Sequence, residues 1–203
     1  SYCVELAERQ NKLYALVTNP QEGFAVVEIP DDPSNLNGYT VCQKINIPGY
    51  PKGITVQGNY AFIASYDRLV ILDISDIESP SVITDIDTRQ GRGDADAMDV
   101  KIYGDYAFVA NSGAGVTVVD LSPFYSGRKF NAGIRKGGNS RKVVVRGIPP
   151  ERYAYIASGK AGLEVIEIPE VDTSDPQNPR LDPHLIASCQ LSDQGYAYDV
   201  GIS

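Results

Sequence analysis

Three closely spaced aspartates are the residues best suited to chemistry in this chain of 203 residues. Asp94, Asp96 and Asp99 stand in the segment GRGDADAMD, and their carboxylate oxygens suit a hard cation such as calcium. The spacing lacks the glycine and the distal glutamate of an EF-hand loop. Aspartates in such segments also cap turns by accepting hydrogen bonds from backbone N–H groups. We expect turn capping, and calcium binding by these three residues is the alternative.

A basic segment supplies a second set of candidate residues. No acidic residue occurs between residues 121 and 150, whereas seven of the 18 lysines and arginines fall there. In a chain with a net charge of −8, this concentration indicates a docking surface for an acidic protein face or an anionic glycan. A solvated irregular loop between strands is the interpretation that we favour, and the docking surface is the alternative. The predicted partner-binding residues are Arg128, Lys129, Phe130, Arg135 and Lys136.

Other kinds of chemistry find no support in the sequence. His184 is the only histidine, so catalytic triads and metal sites built on histidine are not expected. No glycine-rich phosphate loop follows a strand and opens a helix. The net charge of −8 argues against general binding to nucleic acid, and no apolar run reaches the roughly 18 residues of a membrane span. We therefore predict no catalytic residues and no cofactor-binding residues.

A repeat of about 46 residues organises the chain. Its most regular part is a run that begins at Tyr14, Tyr60, Tyr106 and Tyr153 and reads YALVTN, YAFIAS, YAFVAN and YAYIAS. Each run alternates large and small side chains, which is the period of a strand. A turn follows, and then a nearly continuous apolar strand such as LVILDIS or VTVVDLS. Further strands flank this hairpin, although the outer strand of the third repeat is less clear and is expected near RKFNAGI.

Four strands in each repeat, with no helical period, predict an all-β fold. The fold class is a β-propeller of four-stranded antiparallel blades, with about four blades in this segment. The blade units are expected over residues 3–48, 51–88, 97–140 and 141–192, with the start of a further blade at 198–203. Because blades expose apolar faces to one another, a propeller must close or be capped. We expect the chain to be part of a propeller of about six to eight blades.

The second repeat resembles the LVIVD repeat family. Its strand Leu69–Ser75 is followed by the turn residues Ser79 and Pro80, and Thr173–Pro179 carries a related turn. The first repeat, with Leu16–Asn19, also resembles YVTN-type propeller repeats. These resemblances cover nearly the whole chain and imply the propeller fold. They supply no catalytic residues that can be carried over to this sequence.

The resemblance also implies a location, because these families occur mostly in secreted or surface-attached proteins. We expect a non-catalytic scaffold or binding domain that is extracellular, on the cell surface or periplasmic, and that acts through protein–protein or glycan contacts. Its partners are other protein chains or the remainder of the same propeller, with no nucleic acid and no membrane span. The alternative is a propeller enzyme, a hydrolase or an oxidoreductase, with a metal or cofactor at the mouth of the central channel.

Overall fold

The computed structural model describes residues 3–89, 93–121, 129–131, 139–148, 151–168, 183–190 and 196–201. Sixteen β-strands and no helix occur among these residues. The described part of the chain therefore contains no helix that is long and apolar enough to cross a membrane. The strands form four sheets of four strands, numbered here as blades 1 to 4 in chain order. This confirms the predicted all-β fold of four-stranded antiparallel blades. The chain divides into two compact units, Ser1–Ile86 (unit 1) and Asp87–Ser203 (unit 2).

Unit 1 contains blades 1 and 2, which repeat one order of strands. Blade 1 consists of β1 (Cys3–Arg9), β2 (Lys12–Asn19), β3 (Gly23–Ile29) and β4 (Thr40–Ile45). Blade 2 consists of β5 (Pro51–Gln57), β6 (Tyr60–Ser65), β7 (Arg68–Asp73) and β8 (Ser81–Asp87). Tyr14 lies opposite Ala7 and Glu28, and Tyr60 lies opposite Gln57 and Asp73. Each tyrosine thus pairs with an acidic residue near the end of the third strand, and it is the first residue of β6 in blade 2 but the third residue of β2 in blade 1.

Unit 2 contains blades 3 and 4. Blade 3 consists of β9 (Asp99–Tyr103), β10 (Tyr106–Ala110), β11 (Val116–Asp120) and β12 (Lys129–Asn131). Blade 4 consists of β13 (Lys142–Ile148), β14 (Glu151–Ala157), β15 (Leu163–Glu167) and β16 (His184–Cys189). The short strand β12 lies within RKFNAGI, where the outer strand of the third repeat is expected. It pairs in antiparallel fashion with β11.

The core of unit 1 lies between its two blades. Alternation along β2 and β3 places Tyr14, Leu16, Phe24 and Val26 on one face of blade 1, and all four are at most 1% exposed. They belong to one cluster with residues of blade 2, namely Ile54, Ala61, Ile63, Val70 and Leu72. Each fully buried large apolar side chain contributes about 1.5–3 kcal/mol. Blade-to-blade packing thus holds unit 1 together.

The core of unit 2 follows the same plan. Its cluster joins Phe108, Ala110, Val116 and Val118 of blade 3 to Val143, Ala154, Ile156 and Ile166 of blade 4. Phe108 corresponds to Leu16, and Ile156 corresponds to Ile63, because each stands at the same distance from the tyrosine that opens its run. The repeat in the sequence is therefore a repeat of one packing interface.

Polar side chains at the ends of the second strands fix the connections between blades. Ser65 Oγ donates a hydrogen bond of 2.6 Å to the carbonyl of Pro48 in unit 1. In unit 2, Asn111 Nδ2 donates one of 2.7 Å to the carbonyl of Thr88. The accepting carbonyl groups belong to the segments that precede blades 2 and 3. The two hydrogen bonds satisfy these carbonyl groups and thereby stabilise the segments.

Candidate binding surfaces

The three aspartates of the GRGDADAMD segment lie in different surroundings. Asp94 is exposed, Asp96 is half-buried, and Asp99 begins β9 and is 2% exposed. The side chain of Asp94 lies beside Gly113 in the hairpin turn of blade 3. Among the described residues, these three carboxylates do not form a group with all ligand atoms within 4.8 Å of one another. Calcium binding by these three residues stays a prediction.

Asp99 joins the two blades of unit 2. Its Oδ2 accepts a hydrogen bond of 3.1 Å from the backbone N–H of Val143, and its Oδ1 lies 3.7 Å from Lys142 Nζ. Burial raises the pKa of the Asp99 carboxyl, and the charges of Lys142 and Lys101 oppose that rise without cancelling it. The residue thus acts as a buried link between β9 and β13.

A different group of possible metal ligands occurs in unit 1. Glu28, Cys42 and Glu78 offer ligand atoms that lie within 4.8 Å of one another. Thiolate and carboxylate ligands together suit zinc. However, Lys12 Nζ lies 3.1 Å from Glu28 Oε2 and 3.9 Å from Glu78 Oε1, so one ammonium group already offsets part of the negative charge of the two carboxylates. The hydrogen bond to Glu28 raises the pKa of Lys12, in keeping with an ion-pair network.

Tyr14 completes this network from the buried side. Its hydroxyl donates a hydrogen bond of 2.9 Å to Glu78 Oε1, although the residue itself is only 1% exposed. Burial, followed by the contact with Glu78, raises the pKa of the Tyr14 hydroxyl. The loop of blade 2 that carries Glu78 is thereby tied to β2 of blade 1. The arrangement supports the packing of the two blades.

The outer face of blade 1 is apolar and open. This face, called the open face below, is on the side of the sheet opposite to Tyr14. Along each strand, residues of the open face alternate with residues of the Tyr14 face. Its members are Val4, Leu6, Leu13, Ala15, Val17, Ala25, Val27, Ile29 and Val41. None of them is buried, and Val4, Leu6 and Val41 are 55%, 58% and 54% exposed. The charged residues Glu8 and Lys44 stand on the same face.

The repeat shows what normally covers such a face. In blade 2 the equivalents of Ala15 and Val17 are Ala61 and Ile63, and both are completely buried. They belong to the cluster that contains Tyr14 of the preceding blade. The open face therefore has the composition of a blade–blade interface without the burial.

Two exposed tyrosines and two cations lie against one another in unit 2. These side chains and the cleft beside them are called the tyrosine–cation cleft below. The rings of Tyr196 and Tyr198 lie 6.0 Å apart at an interplanar angle of 23°. The guanidinium carbon of Arg141 is 5.0 Å from the centre of the Tyr198 ring, and Lys160 Nζ is 5.6 Å from that of Tyr196. A cleft of about 160 Å³ adjoins the stack. Its lining residues are Asn139, Arg141, Gly159, Lys160 and Tyr196.

The predicted partner-binding residues lie mostly beyond what the structure describes. Arg128, Arg135 and Lys136 are outside the described residues, and only the backbone of Lys129 and Phe130 is described, in β12. Their role stays a prediction. The open face and the tyrosine–cation cleft were not identified as sites from the sequence, although the Tyr-Ala-Tyr spacing of residues 196–198 is a usable signal. Residues two apart in an extended segment lie on the same side.

Comparison with known proteins agrees with the repeat. The sequence pattern described as the LVIVD repeat matches residues 48–88, 94–123 and 137–184. A comparison with curated proteins finds no match. The matched segments hold most strands of blades 2, 3 and 4 and account for more than half of the chain. On this match and on its four-stranded antiparallel sheets, the chain belongs to the LVIVD repeat family of propeller-like β-proteins.

Proposed function

We propose that this chain is a non-catalytic binding domain of an extracytoplasmic protein and that it acts through protein–protein contacts. The location follows the resemblance to secreted and surface-attached repeat families. The binding role rests on one observation, the open face of blade 1. Contiguous exposed apolar surface of this kind marks an interaction site in a soluble protein.

The composition of the open face indicates the partner. Its equivalent in blade 2 is covered by a face bearing Tyr14, Leu16 and Phe24, so the complementary surface is the aromatic face of another blade. Small residues such as Ala15 and Ala25 leave room for large side chains. We assign the partner as a second copy of this chain, because the equivalent face of blade 4 carries Tyr155 in the place of Leu16 and that tyrosine is only half-buried. The charges of Glu8 and Lys44 add polar contacts on the same face.

Self-association tests this proposal. Sedimentation velocity over the micromolar range should show a concentration-dependent dimer or larger species for the wild type. Leu6→Lys places a charge on the open face, where Leu6 is 58% exposed, and is expected to weaken association about tenfold or more. Circular dichroism should show an unchanged fold, because an exposed site tolerates lysine.

Val82→Lys is the matched control. Val82 is 40% exposed on β8 and lies outside the open face, so the same change of charge there should leave association unaltered. The proposal would be contradicted if the wild type stayed monomeric throughout the concentration range. It would also be contradicted if Leu6→Lys and Val82→Lys weakened self-association equally. Fractionation of the producing cells tests the location, and recovery of the chain in the cytoplasm would contradict it.

A further inference from the structure

We propose that the tyrosine–cation cleft of unit 2 binds the acidic side chain of a peptide segment in a partner protein. The open face is apolar and belongs to unit 1, so this is a separate site with a different ligand. The ligand class is a carboxylate, and glutamate or aspartate supplies it.

The charge of the cleft selects an anion. Two of its five lining residues, Arg141 and Lys160, are cations, and none of the five is acidic. The charge of the cleft lining is therefore positive, although the net charge of the chain is −8. The acidic residue next to Tyr198, Asp199, is exposed, and its Oδ1 accepts a hydrogen bond of 2.8 Å from the N–H of Val200. An acidic side chain entering the cleft therefore meets two positive charges.

Arg141 is prepared to donate hydrogen bonds. Its guanidinium carbon lies over the Tyr198 ring, an arrangement in which a planar guanidinium can direct its N–H donors at both oxygens of a carboxylate. Its Nε is buried and has no hydrogen-bond partner among the residues that the structure describes. A buried donor without an acceptor is costly, and a small shift of the guanidinium toward a bound carboxylate would let Nε donate to it.

The backbone around the cleft is held in place before any ligand arrives. The N–H of Arg141 donates to the carbonyl of Ala157 at 2.9 Å. Gly159 and Ala197 exchange two backbone hydrogen bonds, of 3.1 and 2.9 Å, which fix the tyrosine segment beside the hairpin of blade 4. Binding then requires little further ordering of the protein.

The size of the cleft favours a side chain over a whole small molecule. Its volume of about 160 Å³ is below the roughly 300–1,000 Å³ of sites that enclose drug-sized ligands. Tyrosine and arginine are also the residues that most often dominate protein–protein contacts. These two features favour a glutamate or aspartate presented by a peptide over an oligosaccharide.

Fluorescence anisotropy with a labelled hexaglutamate peptide tests the site. Arg141→Gln should weaken binding about tenfold in low salt, and Arg141→Lys should also weaken it, because lysine keeps the charge and loses the planar fork. Lys160→Gln is a second variant in case Arg141→Gln does not fold. Arg89→Gln is the control, since it removes one half-exposed arginine charge outside the cleft and the open face, and binding should change less than about twofold.

Several results would overturn the site. These are no binding of hexaglutamate, an equal loss of binding for Arg89→Gln, or full binding by Arg141→Lys. Tighter binding of an oligogalacturonate of the same charge would show that the ligand is a glycan and would overturn its assignment as a peptide. Arg141→Gln should self-associate like the wild type, so failure of this site and failure of the open face are distinguished by separate measurements.

Discussion

Gly23→Ala is expected to lower the free energy of unfolding by about 3 kcal/mol or more. Gly23 begins β3 with a φ of +90°, a backbone conformation that alanine rarely adopts. A Cβ at this position would also collide with the carbonyl oxygen of Ile45 at the end of β4. Because that oxygen belongs to the backbone, it cannot move without disturbing the outer strand of blade 1.

Gly58→Ala separates the two causes of this loss. Gly58 also has a positive φ, of +57°, but no atom lies within 4 Å of the place where its Cβ would stand. This variant should therefore cost only the backbone strain, about 1–2 kcal/mol. Chemical denaturation of both variants measures the difference. Equal losses would show that the contact with Ile45 has no energetic consequence.

The same close contact explains the corresponding glycine in the hairpin turn of blade 4. Gly162 of blade 4 has a φ of +77°, and its Cβ would collide with the carbonyl oxygen of Cys189 in β16. The sequence predicts the hairpins from NPQEG, SGAG and SGKAG, and the glycine is expected for its positive φ. The close approach of the outer strand is not visible in the sequence. This close approach depends on the positions of β4 in blade 1 and β16 in blade 4, which the structure provides.

The sheets themselves were predictable because their signal is local. Tyr14 and Tyr60 open runs with a period of two, and this period alone determines which side chains share a face. Whether a face is covered depends on a neighbouring blade, which is a long-range matter. Ala15 and Ala61 occupy equivalent positions, yet one is half-buried and the other fully buried. The open face could therefore not be distinguished from a core face by pattern.

Burial also distinguishes the three aspartates of the GRGDADAMD segment in a way that the sequence does not show. Asp94, Asp96 and Asp99 are close in sequence, but β9 begins at the third of them and directs its carboxylate to the backbone of Val143. Burial, which the sequence does not display, separates that aspartate from its neighbours. The tyrosine–cation cleft shows the opposite case, since Arg141 and Tyr198 are distant in sequence and meet through the pairing of Gly159 with Ala197.

Asp99→Asn is expected to raise the free energy of unfolding at neutral pH. The buried carboxylate must give up its hydration when it ionises, and Lys142, at 3.7 Å, compensates only in part. The asparagine carbonyl accepts the same hydrogen bond from the N–H of Val143. Because the Lys142 side chain is 30% exposed, its ammonium can turn toward water once the carboxylate is gone.

The pH dependence provides a more specific signature. Since the pKa of Asp99 in the folded protein lies above the ordinary value of 3.8, the folded state binds this proton more tightly than the unfolded state. The associated stability is present below pH 3.8 and is lost as the pH rises through the raised pKa. Asparagine cannot titrate, so the advantage of Asp99→Asn should be absent near pH 3.8 and should grow toward neutrality.

Asp199→Asn is the matched control for this experiment. Asp199 corresponds to Asp99 in the repeat, but it is exposed, and the substitution removes the same charge. Its effect should stay within about 0.5 kcal/mol at every pH. Denaturation curves of the wild type and both variants between acidic and neutral pH decide the matter. If Asp99→Asn is less stable than the wild type at neutral pH, the ion pair with Lys142 outweighs the cost of burying the carboxylate, and Asp99 then stabilises the blade junction through its charge.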